Sequence, residues 1–195
     1  LRKWRSTRHH VSGECIQNAI GRWFPDPEML GTVDTDHLER RPPGLVHQLV
    51  EGRKLILGGV DIPHTRGLDG HSDADALMHA ITDAVLGAIG EGDIGQFFPN
   101  TDPRWKGAPS RTFLEEAARQ VKLRNGRLVN VDATLIAQAP KLMPHVAAMK
   151  THIATTLGLD PKKVGIKATT NEKMGFIGRE EGIAAMAVAS VDLPE

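Results

Sequence analysis

From Lys54 onward, apolar and polar positions recur regularly enough to define elements. Residues 55–62 form a short apolar run that reads as a strand, with Gly58 and Gly59 suggesting a bulge or a close backbone approach. Between 72 and 90, Leu77, Ile81, Ala84, Val85 and Ala88 form a helical stripe. Ser72 is placed to cap that helix, and Asp75, three residues on, completes a capping-box pattern. A second helix is predicted over 110–123, with Leu114, Ala117, Ala118 and Val121 facing inward. Residues 129–137 read as the next strand, and 144–157 as a third helix that begins at Pro144 and closes at Gly158. Two more strands are predicted over 164–168 and 183–193. The order β-α-α-β-α-β-β implies an α/β (α+β) chain whose helices pack on one face of a mixed sheet.

Residues 1–44 show no sustained period of 2 or 3.6, so they predict neither strand nor helix. They open with Arg2, Lys3, Arg5 and Arg8 and carry Pro25, Pro27, Pro42 and Pro43. The basic start hints at organelle targeting, but Glu14, Asp26, Glu28, Asp34, Asp36 and Glu39 spoil the acid-poor signature of a transit peptide. The expected organisation is a poorly ordered extension or linker over 1–44 and one domain over 45–195.

Composition narrows the function classes. The 24 basic and 24 acidic residues balance, which removes the global field expected of a nucleic-acid binder or a polybasic membrane binder. No apolar run approaches the roughly 20 residues of a membrane span. One cysteine, Cys15, excludes an internal disulfide and a cysteine-built zinc site. Aromatic content of 4% makes the expected core aliphatic, with Trp105 as a packing anchor. These features read as a soluble protein of the cell interior.

Three segments carry candidate chemistry. His71, Asp73, Asp75, His79 and Asp83 fall close together, and the last three share a helical face through their spacing of four. That face, directed away from the leucine stripe, suits zinc through imidazole nitrogen and carboxylate oxygen; equally, it suits a solvated polar face with Asp75 as a cap. The stretch Ala168-Thr169-Thr170-Asn171-Glu172-Lys173 follows a predicted strand. Its hydroxyls and N–H groups suit phosphate oxygens and Glu172 suits magnesium, or the whole is an ordinary threonine-rich turn. The stretch from Ala137 to Pro144 also ends a strand, where Lys141 and backbone near Pro140 could hold a base or a phosphate, as could many loops that precede a helix.

In order and spacing these segments resemble the 2-C-methyl-D-erythritol 2,4-cyclodiphosphate synthase family of non-mevalonate isoprenoid biosynthesis. The resemblance rests on Gly67-Leu68-Asp69-Gly70-His71-Ser72-Asp73-Ala74-Asp75, on His79 to Asp83, and on Gly92-Asp93-Ile94-Gly95 with Phe98-Pro99. It continues through the 137–144 loop and 167–182. It implies a homotrimer of ferredoxin-like subunits with active sites at the subunit interfaces. The implied reaction is that of a phosphorus-oxygen lyase: the substrate's own 2-phosphate attacks the β-phosphorus and CMP departs. No protein nucleophile is required, so catalysis becomes positioning and charge stabilisation. By the same resemblance His47 and His79 are zinc ligands, and Asp75 and Asp83 support the metal helix as partners of the imidazoles. His71 and Ser72 lie near the phosphate and methylerythritol. Asp93, Gly95 and Asn100 meet the methylerythritol side. Ala168, Thr169, Thr170 and Glu172 hold the diphosphate and its Mg2+ or Mn2+. Ala137, Pro140, Lys141, Leu142 and Met143 form a cytidine pocket from a neighbouring subunit, and Phe176 and Arg179 line a central cavity. His71, Asp75, Thr170 and Glu172 are the implied catalytic residues. The resemblance also implies bacterial cytoplasm, with the plastid as alternative, and possible fusion to a cytidylyltransferase, of which 1–44 would be a linker remnant.

The departures are specific. The family's first strand carries Gly-x-Asp-x-His, but this chain reads Pro43-Gly44-Leu45-Val46-His47, with leucine where a zinc-ligand aspartate is expected. Asp34, Asp36 or His37 would be substitutes. Without one, water or substrate would fill the other zinc positions and the site would be weakened; the alternative is a catalytically impaired member that still trimerises and binds cytidine nucleotides. Asn100 replaces a common aspartate, and Glu180 a frequent glycine beside Arg179.

Overall fold

The computed structural model describes residues 46–194. The expectations for residues 1–44 and for Leu45, including Cys15, Asp34, Asp36 and His37, lie outside them. Five strands form the main sheet: β1 (Val46–Glu51), β4 (Arg66–Leu68), β5 (Arg127–Ile136), β6 (Val164–Thr169) and β7 (Gly182–Asp192), in the order β4-β1-β7-β5-β6. Only β5 and β6 run parallel, and the other neighbours are antiparallel. This is the expected mixed sheet. β7 lies between β1 and β5, which run in the same direction, giving a split β-α-β unit, whereas β5 and β6 are adjacent and joined directly through a helix.

The predicted strand over 55–62 is two strands, β2 (Leu55–Leu57) and β3 (Val60–Ile62), paired antiparallel. Gly58 and Gly59 have φ of 58° and 73°, so they turn the chain back as a hairpin. A Cβ on Gly58 would stand 2.7 Å from Met149 Cβ, so the close approach expected there is present as well. β1 and β4 are not predicted from periodicity; three to six residues give it little to detect.

Helix α1 (Ala76–Ala88) packs on β7 and β5, α3 (Arg111–Leu123) lies on α1, and α4 (Val146–Leu157) contacts α3 and β6. Two short helices, α2 (Ile94–Phe97) and α5 (Gly175–Gly178), complete the set. α3 buries Leu114, Ala117, Ala118 and Val121 as its spacing predicts. α4 ends at Gly158, whose left-handed φ of 68° forms the cap. The core is aliphatic, whereas Phe98, Trp105 and Phe113 stack at one corner, with ring centroids 4.6–6.1 Å apart.

Helix α1 corrects two expectations. It begins at Ala76 with Asp75 as its cap, not at Ser72, because Ala74 adopts φ 58° and Asp75 is extended. It is also buried nearly all round: Leu77, Met78, His79, Ala80, Ile81, Thr82, Val85 and Leu86 are covered, and Ala88 is not. The face carrying Asp75 and His79 is therefore interior, not solvated.

Along β7 the opposite face of the sheet is uncovered. Ala185 is buried toward the helices, but Met186 and Val188 are 49% and 70% exposed. Among the described residues no helix is long and apolar enough to cross a membrane.

Candidate active site

His47 on β1 and His79 on α1 meet under the sheet, with His47 Nε2 3.2 Å from His79 Nδ1. Asp69, which follows β4, accepts from His47 Nδ1–H through its carbonyl at 2.9 Å. A carbonyl only accepts, so this bond places a proton on Nδ1 and turns the lone pair of Nε2 inward. The His79 ring is buried, which depresses its pKa to about 3, with His47 adding to the effect. Burial thus keeps the ring in the neutral, ligating form.

Around this pair the 69–75 loop is held from several sides. Arg53 donates to the carbonyls of Gly70 and Ser72 at 2.8 and 2.7 Å. Gly107 N donates to the His71 carbonyl at 2.8 Å, and Asp73 N to that of Ala108 at 3.1 Å. His71 Nε2 lies 3.2 Å from the Asp102 carbonyl. Ser72 is buried, accepts from Ala74 N–H at 3.1 Å and stands 3.2 Å from His79 Nε2. The left-handed turn at Ala74 separates two carboxylates, Asp73 toward Ser110 and Asp75 toward the hairpin.

Asp75 supports the helix that carries His79, and it does so through backbone N–H groups. Its carboxylate accepts from Gly58 N at 2.9 Å, Gly59 N at 2.7 Å and Met78 N at 3.0 Å, pinning the hairpin to the start of α1. It bonds to no imidazole in this set, so it holds backbone rather than backing a metal ligand. Burial pushes it up to about 7 against the three N–H groups. Asp83 likewise accepts from Ile94 N at 2.8 Å and supports α2; burial raises its pKa too. The groups that meet His79 Nε2 are the hydroxyls of Ser72 and Ser110, with Ser110 Oγ at 2.7 Å. Ser110 and Arg53 were not among the residues expected at the site. No spacing rule links positions 31 residues apart.

The second group of residues sits at the ends of β5 and β6, where Ile136 pairs with Thr169 and Ala137 N donates to the Thr169 carbonyl at 3.0 Å. Thr170 Oγ1 donates to Glu172 Oε1 at 2.5 Å, and Lys173 N to Gln138 Oε1 at 3.1 Å, so the two loops are tied together. Glu172 and Lys173 hold φ of 49° and 63°, a left-handed pair that non-glycine residues seldom adopt. Thr169, Thr170, Glu172, Lys141 and Met143 are exposed and Ala168 is half-buried. Ala137 and Leu142, by contrast, have side chains in the core, which leaves only their backbone for a ligand. Pro140 is half-buried. Asp93 caps α2 by accepting from Gln96 N at 3.1 Å; Gly95 and Asn100 are exposed beside it. Phe176 is exposed, and Arg179 is paired with Glu181 at 2.6 Å.

Two nitrogens each about 2.0–2.1 Å from a tetrahedral ion stand about 3.3 Å apart. The His47–His79 separation of 3.2 Å fits that value. Among the described residues no group of three or more His, Cys, Asp or Glu side chains joins them.

Fold and centre together define an α/β protein with an imidazole pair, His79 buried and His47 half-buried, between β1 and α1, and hydroxyl-bearing loops at the sheet's end. The chain belongs to the YgbB family, whose model matches residues 44–192. It is 63% identical over 147 residues to the 2-C-methyl-D-erythritol 2,4-cyclodiphosphate synthase of Dechloromonas aromatica, covering 75% of this chain and 92% of that protein. Among solved structures, the bifunctional IspDF of Campylobacter jejuni aligns with a TM-score of 0.74 and 45% identity, over 77% of this chain and 41% of that one. This chain thus spans about two fifths of the bifunctional protein's length. A CDP-bound 2C-methyl-D-erythritol-2,4-cyclodiphosphate synthase aligns at a TM-score of 0.69 and 41% identity, over 75% of this chain and 95% of that one.

Proposed function

We propose that the chain converts 4-diphosphocytidyl-2-C-methyl-D-erythritol 2-phosphate to 2-C-methyl-D-erythritol 2,4-cyclodiphosphate and CMP. The observation that carries this is the 63% identity reaching 92% of the Dechloromonas synthase. In the reaction a 2-phosphate oxygen forms a bond to the β-phosphorus, and the α–β bridge breaks with its oxygen leaving on CMP. His47 and His79 would hold a zinc or similar divalent ion, and Glu172 a Mg2+ or Mn2+. Bound there, such cations supply Lewis-acid polarisation of the phosphates and neutralise their charge. The chain's own contribution is placement. His71 and Ser72 face the 2-phosphate side, and Asp93, Gly95 and Asn100 the methylerythritol hydroxyls. Thr169 and Thr170, with the backbone of Ala168, receive the diphosphate.

The loop 137–144, with Pro140, Lys141 and Met143 at its surface and the backbone of Ala137 and Leu142, would take cytidine from the adjoining subunit of a homotrimer. Exposed Met186 and Val188 on the uncovered sheet face support association. Phe176 and Arg179 would line the cavity at the trimer axis. The relation to a bifunctional protein supports an origin of residues 1–44 as a linker beside a cytidylyltransferase, with the synthase domain over 45–195. The same reading places the chain in the bacterial cytoplasm, with the plastid as the alternative. No observation on the described residues favours the catalytically impaired alternative. Phosphorus NMR of the substrate incubated with the chain, Zn2+ and Mg2+ is expected to show the cyclic diphosphate and CMP in equal amounts. Release of inorganic phosphate in their place would overturn the proposal.

A further inference from the structure

Ser110 precedes α3 with a backbone that is already helical (φ −62°, ψ −17°), so it is not set to cap, and its side chain makes no capping bond. The hydroxyl instead lies 2.7 Å from His79 Nε2 and also contacts Asp73 Oδ1. Ser110 N–H donates to Asp73 Oδ2 at 3.1 Å, and Asp75 N–H to Asp73 Oδ1 at 3.2 Å. Ser110 is wholly buried.

The direction of each bond follows from what the atoms can do. An ionised carboxylate only accepts, so the Ser110 proton goes to Asp73. The Ser110 oxygen is then an acceptor toward His79, and Nε2 must carry the proton it accepts. Nδ1 is left with a lone pair, and it is the nitrogen that faces His47 Nε2 at 3.2 Å. His47 reaches the matching state through the Asp69 carbonyl. Two lone pairs directed at one another repel unless a cation lies between them.

We infer that Ser110 and Asp73 are positioning residues that lock His79 into the Nε2–H tautomer, the one form in which Nδ1 is able to take a metal. This deepens the metal reading above and rests on it. The relay ties the 69–75 loop, α1 and the start of α3 to one ring orientation.

The test uses the full chain with Zn2+ alone as probe and compares Ser110→Ala, Ser110→Thr and Asp73→Asn. Ring-nitrogen chemical shifts of His79 in metal-free protein report which nitrogen is protonated, and competition with a chromophoric chelator gives zinc affinity. The unaltered chain is expected to show Nε2–H. Ser110→Ala is expected to mix the tautomers and weaken zinc binding about 10–100-fold. Threonine restores the hydroxyl and should keep both properties, whereas Asp73→Asn should move them the same way as alanine. Native tautomer and zinc affinity in Ser110→Ala, or a threonine variant as weak as alanine with a native circular dichroism spectrum, would overturn the lock. If alanine prevents folding, the contrast between Ser110→Thr and Asp73→Asn decides. Failure of the unaltered chain to bind Zn2+ would overturn the metal reading, and the ring shifts, measured without metal, keep that failure distinct from failure of the lock.

Discussion

The histidine centre and the paired loops after β5 and β6 are built in opposite ways. At the centre, His79, Ser72 and Ser110 are buried, with both serine hydroxyls on the His79 ring, and the carbonyl of Asp69 and the carboxylate of Asp73 fix the outer side of the network. At the loops, Thr169, Thr170, Glu172 and Lys141 lie open to solvent, and left-handed Glu172 and Lys173 are held by a few bonds. A Cβ on Gly178 would stand 2.1 Å from the Lys173 carbonyl carbon, so the return of that loop is tight even though its tip is open. A centre that must present two lone pairs to an ion gains from rigidity and exclusion of water. A surface that must receive a nucleotide diphosphate has to stay accessible, and in the trimer reading it is completed by a second subunit.

The comparison breaks most sharply at His79. His79→Gln is expected to remove zinc and lower CMP formation on the order of 10²–10³-fold, the scale of losing one electrostatic stabiliser. Zinc content and turnover measured on one preparation check this. Glu172→Gln should lower CMP formation by about 10–100-fold with zinc content unchanged; parallel loss of zinc would mean that the two regions are one unit. On the trimer reading, Val188→Asp, on the uncovered sheet face, is expected to shift sedimentation from trimer to monomer while the circular dichroism spectrum stays native. The smallest effect concerns stability. Asp75→Asn leaves the Gly59 N–H without its acceptor and should cost about 1–3 kcal/mol in urea unfolding. Burial raises Asp75 in the folded chain from 3.8 to about 7, so the folded state holds that proton more tightly than the unfolded one. The Asp75 contribution to stability therefore falls as pH rises from about 4 to about 7, opposite in sense to that of buried, neutral His79, and the advantage of the unaltered chain over Asp75→Asn should narrow across that window.

What the sequence disclosed tracks local signals. α3 and α4 were legible because their apolar stripes and the terminal Gly158 are local statements. The hairpin reads as one strand in sequence because an apolar run that continues through Gly58 and Gly59 does not register a reversal. Helical spacing correctly placed Asp75, His79 and Asp83 on neighbouring turns, but spacing says nothing about whether a face is covered, and this one is. The carboxylates nearest in sequence to His79 hold backbone N–H groups instead of its ring. The serine that does hold the ring is 31 residues away and looked like an ordinary helix start. His47, on a strand that periodicity does not reveal, was placed only through the family resemblance.

The central claim is that the His47–His79 pair holds the metal on which CMP release depends. Zinc per subunit, measured on purified protein with CMP release assayed on the same sample, tests it most directly. The account predicts about one zinc ion per chain and CMP formed in proportion to zinc loaded. Absence of both, with Zn2+ and Mg2+ supplied in excess, would contradict it.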